Sequence, residues 1–206
     1  MHNRRLILFA IIIIVCILSV GCTSTAPPTS SPSSPVSQAT AQSAYQQTLS
    51  PALTAAFTLN VNSLAPGSSL PDVYSCKGAG ESPAVSWDGI PAGTKSLVLM
   101  LEDPDAPSGT FTHWLVYNIP PGAPSIPAGQ TGRKVLANGA QQGDTSAGSR
   151  GYYPPCPPVG TTHRYIFRLY SVDMDITQPT ADRDSIDRAL HGHTIAKTGF
   201  STTLMR

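Results

Sequence analysis

Two carboxylates and two imidazoles occur where the chain is expected to enter or leave a strand. Asp103 and Asp105 follow the apolar run SLVLML and lie in the stretch DPDAPSGTFTHW, whose histidine is His113. Further along, PCPPVGTTHRY supplies His163 at the start of another apolar segment. A carboxylate beside an imidazole orients the ring and raises the pKa of the histidine, which favours binding of an anion. The pattern predicts a small polar site at strand ends.

Prolines are expected to stiffen the loop that carries the two aspartates. Pro104 fixes its own φ and restricts Asp103 to extended conformations, and Pro107 restricts Ala106 in the same way. Such a loop can hold a site open without a ligand.

Alternation along two strands predicts which side chains lie on the same face as each histidine. In HWLVYNI one face carries His113, Leu115 and Tyr117, and the other carries Trp114, Val116 and Asn118. In HRYIFRLYSV one face carries His163, Tyr165, Phe167 and Leu169. Arg164 lies on the opposite face, where we expect it to pair with an acid. Asp105 is one candidate, which would make that carboxylate a clamp instead of a ligand contact.

Apolar segments separated by turns rich in proline and glycine predict a mainly β fold. The predicted strands cover residues 57–60, 84–87, 97–101, 114–119 and 165–172, with a final strand around 200–204. A helix is predicted over residues 184–191, with Gly192 able to end it and a short helical piece before the final strand. Residues 129–150 predict a long loop that reaches the side of His163.

The motifs of this chain resemble, in their order, those of the phosphatidylethanolamine-binding protein family. The resemblance is strongest to its bacterial and archaeal branch, often called Raf-kinase-inhibitor-like. DPDAP followed by HW, and PP followed by HRY, carry it together with ALHGHTIAKTGF, and it covers roughly residues 50–206. The resemblance implies a PEBP-like fold, in which a large central sheet packs on a smaller sheet with a few short helices near the C-terminus.

The resemblance also implies a ligand pocket. The matching positions are Asp103, Asp105, His113, Pro157, His163 and Tyr165. Glycines usually follow the tyrosine of the GY pair in this branch, whereas this chain has Tyr153 and Pro154, which restrict the backbone. We therefore expect a narrower or differently shaped rim. A cis peptide bond between Ala106 and Pro107 is a further expectation from the resemblance.

The N-terminal residues are typical of a lipoprotein signal peptide. Arg4 and Arg5 precede an apolar run and the sequence SVGC, which ends at Cys22. The run has about fifteen residues, fewer than the roughly twenty of a spanning helix, which favours a cleaved leader over an uncleaved anchor. We expect residues 1–22 to direct lipid attachment at Cys22 and to place the protein on the outer face of the cell membrane.

Residues 23–48 consist mainly of serine, threonine, proline, alanine and glutamine. Such a segment cannot bury enough apolar surface to fold, so we expect a disordered tether followed by a domain over residues 49–206. Of the four cysteines, Cys16 lies in the leader and Cys22 at the lipid position, which leaves Cys76 and Cys156. Outside the cytoplasm such a pair often forms a disulfide, and two buried free thiols are the alternative.

A net charge of +1 and 40% hydrophobic residues suit one globular domain and argue against nucleic acid as a partner. The histidines favour binding of a small anionic ligand or phospholipid headgroup, such as phosphate or phosphoethanolamine. Inhibition of a surface or secreted protease, a role of some relatives, is an alternative, and acid-base or metal-assisted hydrolysis is a weaker one. The sequence lacks HExxH, GxSxG and CxxC motifs, and we expect neither catalysis nor a cofactor or metal site.

Overall fold

A computed structural model of the chain describes residues 55–62, 64–177 and 181–206. The predicted leader, Cys22 and the tether lie outside these residues. The elements in chain order are β1 (Thr58–Val61), a 3-10 helix (Asp72–Tyr74), β2 (Val85–Asp88), β3 (Ser96–Asp103), β4 (Phe111–Ile119), β5 (Ser125–Ile126), β6 (Gln141–Gln142), β7 (Thr162–Val172), α1 (Arg183–Leu190) and β8 (Thr194–Met205). In these ranges no helix is both long and apolar enough to cross a bilayer.

Two antiparallel sheets form the fold. The larger sheet has the strand order β6-β4-β3-β7-β8, and the smaller has the order β1-β2-β5. The apolar run of β3 explains its central place, because all eight of its residues are buried. The predicted mainly β fold, with a large sheet packed on a smaller one, is confirmed.

Two apolar clusters cover the two faces of the large sheet. One face packs on the small sheet, so that Leu99, Trp114 and Phe167 belong to the same cluster as Trp87 of β2. The other face packs on α1 through Ile186 and its neighbours. Burial of apolar surface on both faces fixes the large sheet as a rigid frame for the loops at its ends.

The chain from α1 to β8 differs from the prediction. The helix ends at Leu190, and Gly192 has a positive φ of 79° in the turn that follows. The backbone N–H of His193 donates to the carbonyl of Leu190, and β8 begins at Thr194. The predicted helical piece before the last strand is wrong, because this tight turn leads directly into pairing with β7.

The predicted loop over residues 129–150 contains a short strand. β6 pairs with β4 in the register Val116 to Gln142 and Tyr117 to Gln141. The indole nitrogen of Trp114 donates to the side-chain oxygen of Gln142 over 2.6 Å in the buried interior. This contact attaches the loop to the edge of the large sheet.

Candidate functional site

Asp103 lies at the end of β3 and orients His163. Its side chain is nearly buried, with 3% of the residue surface exposed. One carboxylate oxygen accepts a hydrogen bond from the backbone N–H of Asp105 at 2.9 Å, and the other lies 2.7 Å from Nδ1 of His163. An Nδ1–H donor satisfies this carboxylate, so Nε2 is the ring nitrogen of His163 that remains for a ligand.

A β-bulge in β4 positions His113. Leu101 pairs with Trp114, but the next residue, Glu102, pairs with Thr112, so His113 is an extra residue in the ladder. His113 therefore lies on the same face as Trp114, and its ring makes an edge contact with Tyr165, with the ring centroids 5.4 Å apart. The predicted grouping of His113 with Leu115 and Tyr117 is wrong, because the bulge interrupts the alternation.

His113 is held by main-chain groups of Tyr153. Its Nδ1 lies 2.9 Å from the carbonyl oxygen of Tyr153, and the backbone N–H of Tyr153 donates to the carbonyl of His113 at 2.8 Å. Because a carbonyl only accepts, Nδ1 carries the hydrogen and Nε2 remains for a ligand. Burial lowers the pKa of His113, against the opposing effects of this hydrogen bond and of the Asp103 charge. Asp103 acts in the expected direction, but burial outweighs it, so the expected rise in the pKa of His113 is wrong.

The neighbouring carboxylate of β3 serves the opposite face of the sheet. Glu102 is buried and binds Arg168 of β7 and Arg183 of α1, the latter at 2.5 Å between Nε and the carboxylate. Alternation along β3 thus sends one acid to the pocket and the next to a structural ion-pair cluster under α1.

Asp105 is bound by Arg164. The guanidinium donates to both carboxylate oxygens, at 2.6 and 2.9 Å, and the backbone N–H of Arg164 donates to one of them at 2.9 Å. These hydrogen bonds lower the pKa of Asp105 to about 2. The expected pairing with Arg164 is present, and Asp105 is not among the residues that line the pocket.

A pocket of about 470 Å³ opens beside the two imidazoles. Three polar side chains on its wall, Asp103, His113 and His163, are buried, with 3%, 4% and 6% of their surface exposed. The remaining lining residues are Ala106, Pro107, Ser108, Phe111, Tyr153, Cys156, Pro157 and Pro158. The structure thus brings together four of the six positions that the resemblance implied.

Tyr165 is buried beside the ring of His113 and does not line the pocket. The residue is fully buried, and its hydroxyl has no partner of hydrogen-bonding geometry among the described residues. Burial raises the pKa of this phenol, and the nearby Asp103 carboxylate raises it further. Tyr165 therefore supports the ring of His113 as a neutral side chain.

The turn between β3 and β4 differs from the resemblance. The described residues contain no cis peptide bond, so the expected cis bond between Ala106 and Pro107 is wrong. The backbone N–H of Gly109 donates to the carbonyl of Ala106 at 3.1 Å, which closes a four-residue turn. Pro107 is the second residue of that turn, where its fixed φ suits a trans bond, whereas a cis proline belongs at the third position.

A disulfide fixes the segment opposite this turn. Cys76 and Cys156 are bonded, with their Cα atoms 5.4 Å apart, and the backbone N–H of Cys76 donates to the carbonyl of Pro155 at 3.0 Å. Pro154 packs so closely on Gly80 that a Cβ there would lie 2.7 Å from its ring. The pocket wall is therefore tied to the loop that follows the 3-10 helix.

Phe111 is a pocket residue that the sequence motifs did not indicate. Its ring centroid lies 4.7 Å from that of His113 and 5.7 Å from that of Tyr153. The available signal was its position two residues before His113, since alternation places both on one face. Tyr153 was expected at the rim, and its ring is part of the wall.

The described residues hold no group of three or more histidine, cysteine, aspartate or glutamate side chains that could bind a metal. The pocket instead offers two imidazole nitrogens, each fixed by a partner on the other nitrogen of its ring. Such an arrangement can bind an anion or exchange a proton with a bound molecule.

Comparison with known proteins agrees with this architecture. The family described as Phosphatidylethanolamine-binding protein matches residues 60–204. A UPF0098 protein of Methanothermobacter thermautotrophicus is 42% identical over 130 residues, which is 62% of this chain and 85% of that protein. A Mycobacterium tuberculosis protein with "lipoprotein LppC" in its name is 41% identical over 116 residues, or 56% of this chain and 55% of that protein.

Solved structures extend the comparison. CT736 of Chlamydia trachomatis, described as a phosphatidylethanolamine-binding protein homologue, has a TM-score of 0.66 and 35% identity. YbcL of E. coli, described as a member of the mammalian PEBP family, has a TM-score of 0.66 and 28% identity. Each match covers 73% of this chain and 98% of the other. The chain belongs to the phosphatidylethanolamine-binding protein family.

Proposed function

We propose that the pocket binds a small anionic group such as phosphate or phosphoethanolamine. The observation that carries the proposal is the pair of buried imidazoles, His113 and His163, whose Nδ1 atoms are occupied while their Nε2 atoms make no hydrogen bond with another described residue. Both rings line the pocket, so these nitrogens can form with a ligand the hydrogen bonds that the protein leaves open.

The two rings offer different hydrogen-bonding groups. The pKa of His113 is lowered by burial, so near neutral pH its Nε2 presents a lone pair that accepts a hydrogen bond. His163 differs because the carboxylate of Asp103 holds its Nδ1, so a proton that a ligand brings to its Nε2 is balanced by that negative charge. The two rings therefore suit a phosphate monoester that carries a proton, or a phosphate with a neighbouring ammonium group.

The two carboxylates repel an anion less than unpaired carboxylates would. Asp105 is paired with the guanidinium of Arg164, and each oxygen of Asp103 accepts a hydrogen bond. These contacts lessen the repulsion of an incoming anion without removing the charge of Asp103.

Calorimetry of the purified full chain with phosphate, phosphoethanolamine and acetate tests the proposal. We expect His113→Ala and His163→Ala each to weaken binding of the phosphate ligands about tenfold or more, because each removes a buried polar contact. The matched control is His191→Ala, since His191 is exposed and lies outside the pocket lining. Equal affinity of the wild type and both pocket variants contradicts the proposal.

We further propose that the protein binds its ligand without chemical conversion. Among the pocket residues Cys156 is in a disulfide and Ser108 is exposed at the rim, so neither matches an activated nucleophile. Assays with ester, phosphoester and peptide substrates should show no turnover above that of the His163→Ala variant. Turnover that depends on His163 contradicts this part of the proposal.

We also propose that the domain is lipid-anchored through Cys22 outside the cytoplasm. The basic, apolar and SVGC segments in order support this, as does the lipoprotein name of the Mycobacterium tuberculosis relative. A disulfide in the domain agrees with an oxidising location.

A further inference from the structure

The charged and imidazole side chains of the pocket are also among its most deeply buried ones. The polar groups Asp103, His113 and His163 are buried, whereas Tyr153, with 40% of its surface exposed, and Pro158 stand at the mouth. Apart from Ser108, which is also exposed, the residues at the mouth are apolar or aromatic, whereas the three polar groups named above lie at the bottom. A ligand that complements this order has its charged head inside and an apolar body that covers the mouth.

Two aromatic rings form the apolar part beside the imidazole. The ring centroids of Phe111 and Tyr153 are 5.7 Å apart, and they lie 4.7 and 6.2 Å from that of His113. A group bound at the Nε2 of His113 therefore has aromatic surface within contact distance. Covering exposed aromatic surface with apolar atoms is favourable.

The main chain that carries Tyr153 is fixed before any ligand arrives. Its backbone N–H and carbonyl both bond to His113, so the attachment point of the aromatic ring is held beside the imidazole. The disulfide at Cys156 and the contact of Pro154 with Gly80 hold the same segment from the other side. A preformed wall loses little conformational entropy on binding and can therefore discriminate between ligands.

We propose that Tyr153, together with Phe111, sets the ligand preference of this pocket, selecting a phosphate monoester of an apolar alcohol over inorganic phosphate and over a phosphate on a polar body. The inference rests on the proposed anion site. Tyr153 is a specificity-determining residue in this view, and the histidines bind the phosphate.

The test compares three probes by calorimetry on the purified full chain: inorganic phosphate, glycerol phosphate and butyl phosphate. We expect butyl phosphate to bind the wild type about tenfold more tightly than either other probe. Tyr153→Ala should remove most of this advantage, lowering the affinity for butyl phosphate more than that for inorganic phosphate. Tyr153→Phe, which keeps the ring, should retain the advantage.

Val159→Ala is the matched control, because Val159 lies in the same loop, is 79% exposed and does not line the pocket. Equal binding of the three phosphates by the wild type overturns the preference and leaves the anion site standing. An equal loss of all three probes in Tyr153→Ala also overturns it, since that result assigns Tyr153 a purely structural role. Failure of all three probes to bind the wild type refutes the anion site and this inference together.

Discussion

The two pocket histidines differ in the group that holds their Nδ1 hydrogen. His163 donates to the carboxylate of Asp103, and His113 donates to the main-chain carbonyl of Tyr153. The carboxylate that holds His163 carries a full charge, whereas the carbonyl that holds His113 has only a dipole. Burial of His113 outweighs this weaker interaction and lowers its pKa. Two residues of one type thus acquire different roles from their partners.

Asp105 leads to a prediction about acid stability. Its pKa lies at about 2 in the folded protein, against an ordinary value of 3.8. Since the folded-state value is depressed, the Arg164 contact stabilises the protein fully above about pH 4, and this contribution is lost as the pH falls through about 2. Asp105→Asn should lower the thermal midpoint at pH 7 by about 2 °C, because the pair is largely exposed.

Circular dichroism melts at several pH values measure this effect. The difference in midpoint between wild type and Asp105→Asn should shrink as the pH falls from 4 to 2. Asp72→Asn, which removes an exposed ion pair with Lys77, is the matched control. A difference that stays constant down to pH 2 contradicts the assignment.

At the scale of the element, alternation predicts correctly which side chains share a face in β7, the strand of His163, but not in β4, the strand of His113. In β7 the ladder with β8 runs without interruption from Thr162 to Ser171, and the predicted shared face of His163, Tyr165, Phe167 and Leu169 is confirmed. In β4 the bulge adds a residue at His113. A bulge is a property of two paired strands, so the sequence of one strand alone could not reveal it.

The two shortest strands could not be predicted from the sequence, for a related reason. β5 and β6 have two residues each, too few for any period to be measured, and they exist only because β2 and β4 offer an edge. The long strand β3 was predicted from its continuous apolar run, which is expected of a strand buried on both faces. The long strand β7 was predicted from its alternation of buried and more exposed residues. The sequence indicated Tyr153 only as a departure from the family pattern, and it gave no evidence that the tyrosine ring forms part of the pocket wall.

The disulfide should stabilise both the fold and the pocket wall. It joins residues 80 positions apart, so its removal frees a long loop in the unfolded chain. The double variant Cys76→Ala/Cys156→Ala should lose about 2–4 kcal/mol of unfolding free energy, measured by urea denaturation. Phosphate binding should weaken as well, because Cys156 belongs to the wall.

A reducing agent provides the control for this prediction. Dithiothreitol should destabilise the wild type by a similar amount and leave the double variant unchanged. Mass spectrometry of the unreduced digest should contain one linked peptide with Cys76 and Cys156. A wild type that is indifferent to the reductant, or two separate peptides, contradicts the bridge.

At the scale of the whole molecule, the chain places a rigid sheet frame behind a pocket formed by loops. The large sheet is covered on one face by the small sheet and on the other by α1, where the buried Glu102 binds two arginines. The end of β3, the start of β7 and the bulged start of β4 bring Asp103, His163 and His113 to one edge of this frame. The frame therefore fixes the geometry of the pocket.

The proposed anchor is tested by labelling with radioactive palmitate in cells that express the chain. The wild type should incorporate the label, and Cys22→Ser should not, because the thiol that accepts the lipid is gone. Cys16→Ser is the matched control and should still be labelled, since that residue lies inside the predicted leader. Label that persists in Cys22→Ser, or is absent from the wild type, contradicts the anchor.

The bulge in β4 has a consequence for how such a pocket is gained or lost in evolution. His113 is an extra residue between two stretches of regular pairing, with Leu101 opposite Trp114 and Glu102 opposite Thr112. Deletion of a single codon there would let both stretches join into one uninterrupted ladder while removing the imidazole. The number of residues at this point, as much as the histidine itself, therefore determines whether an imidazole reaches the pocket.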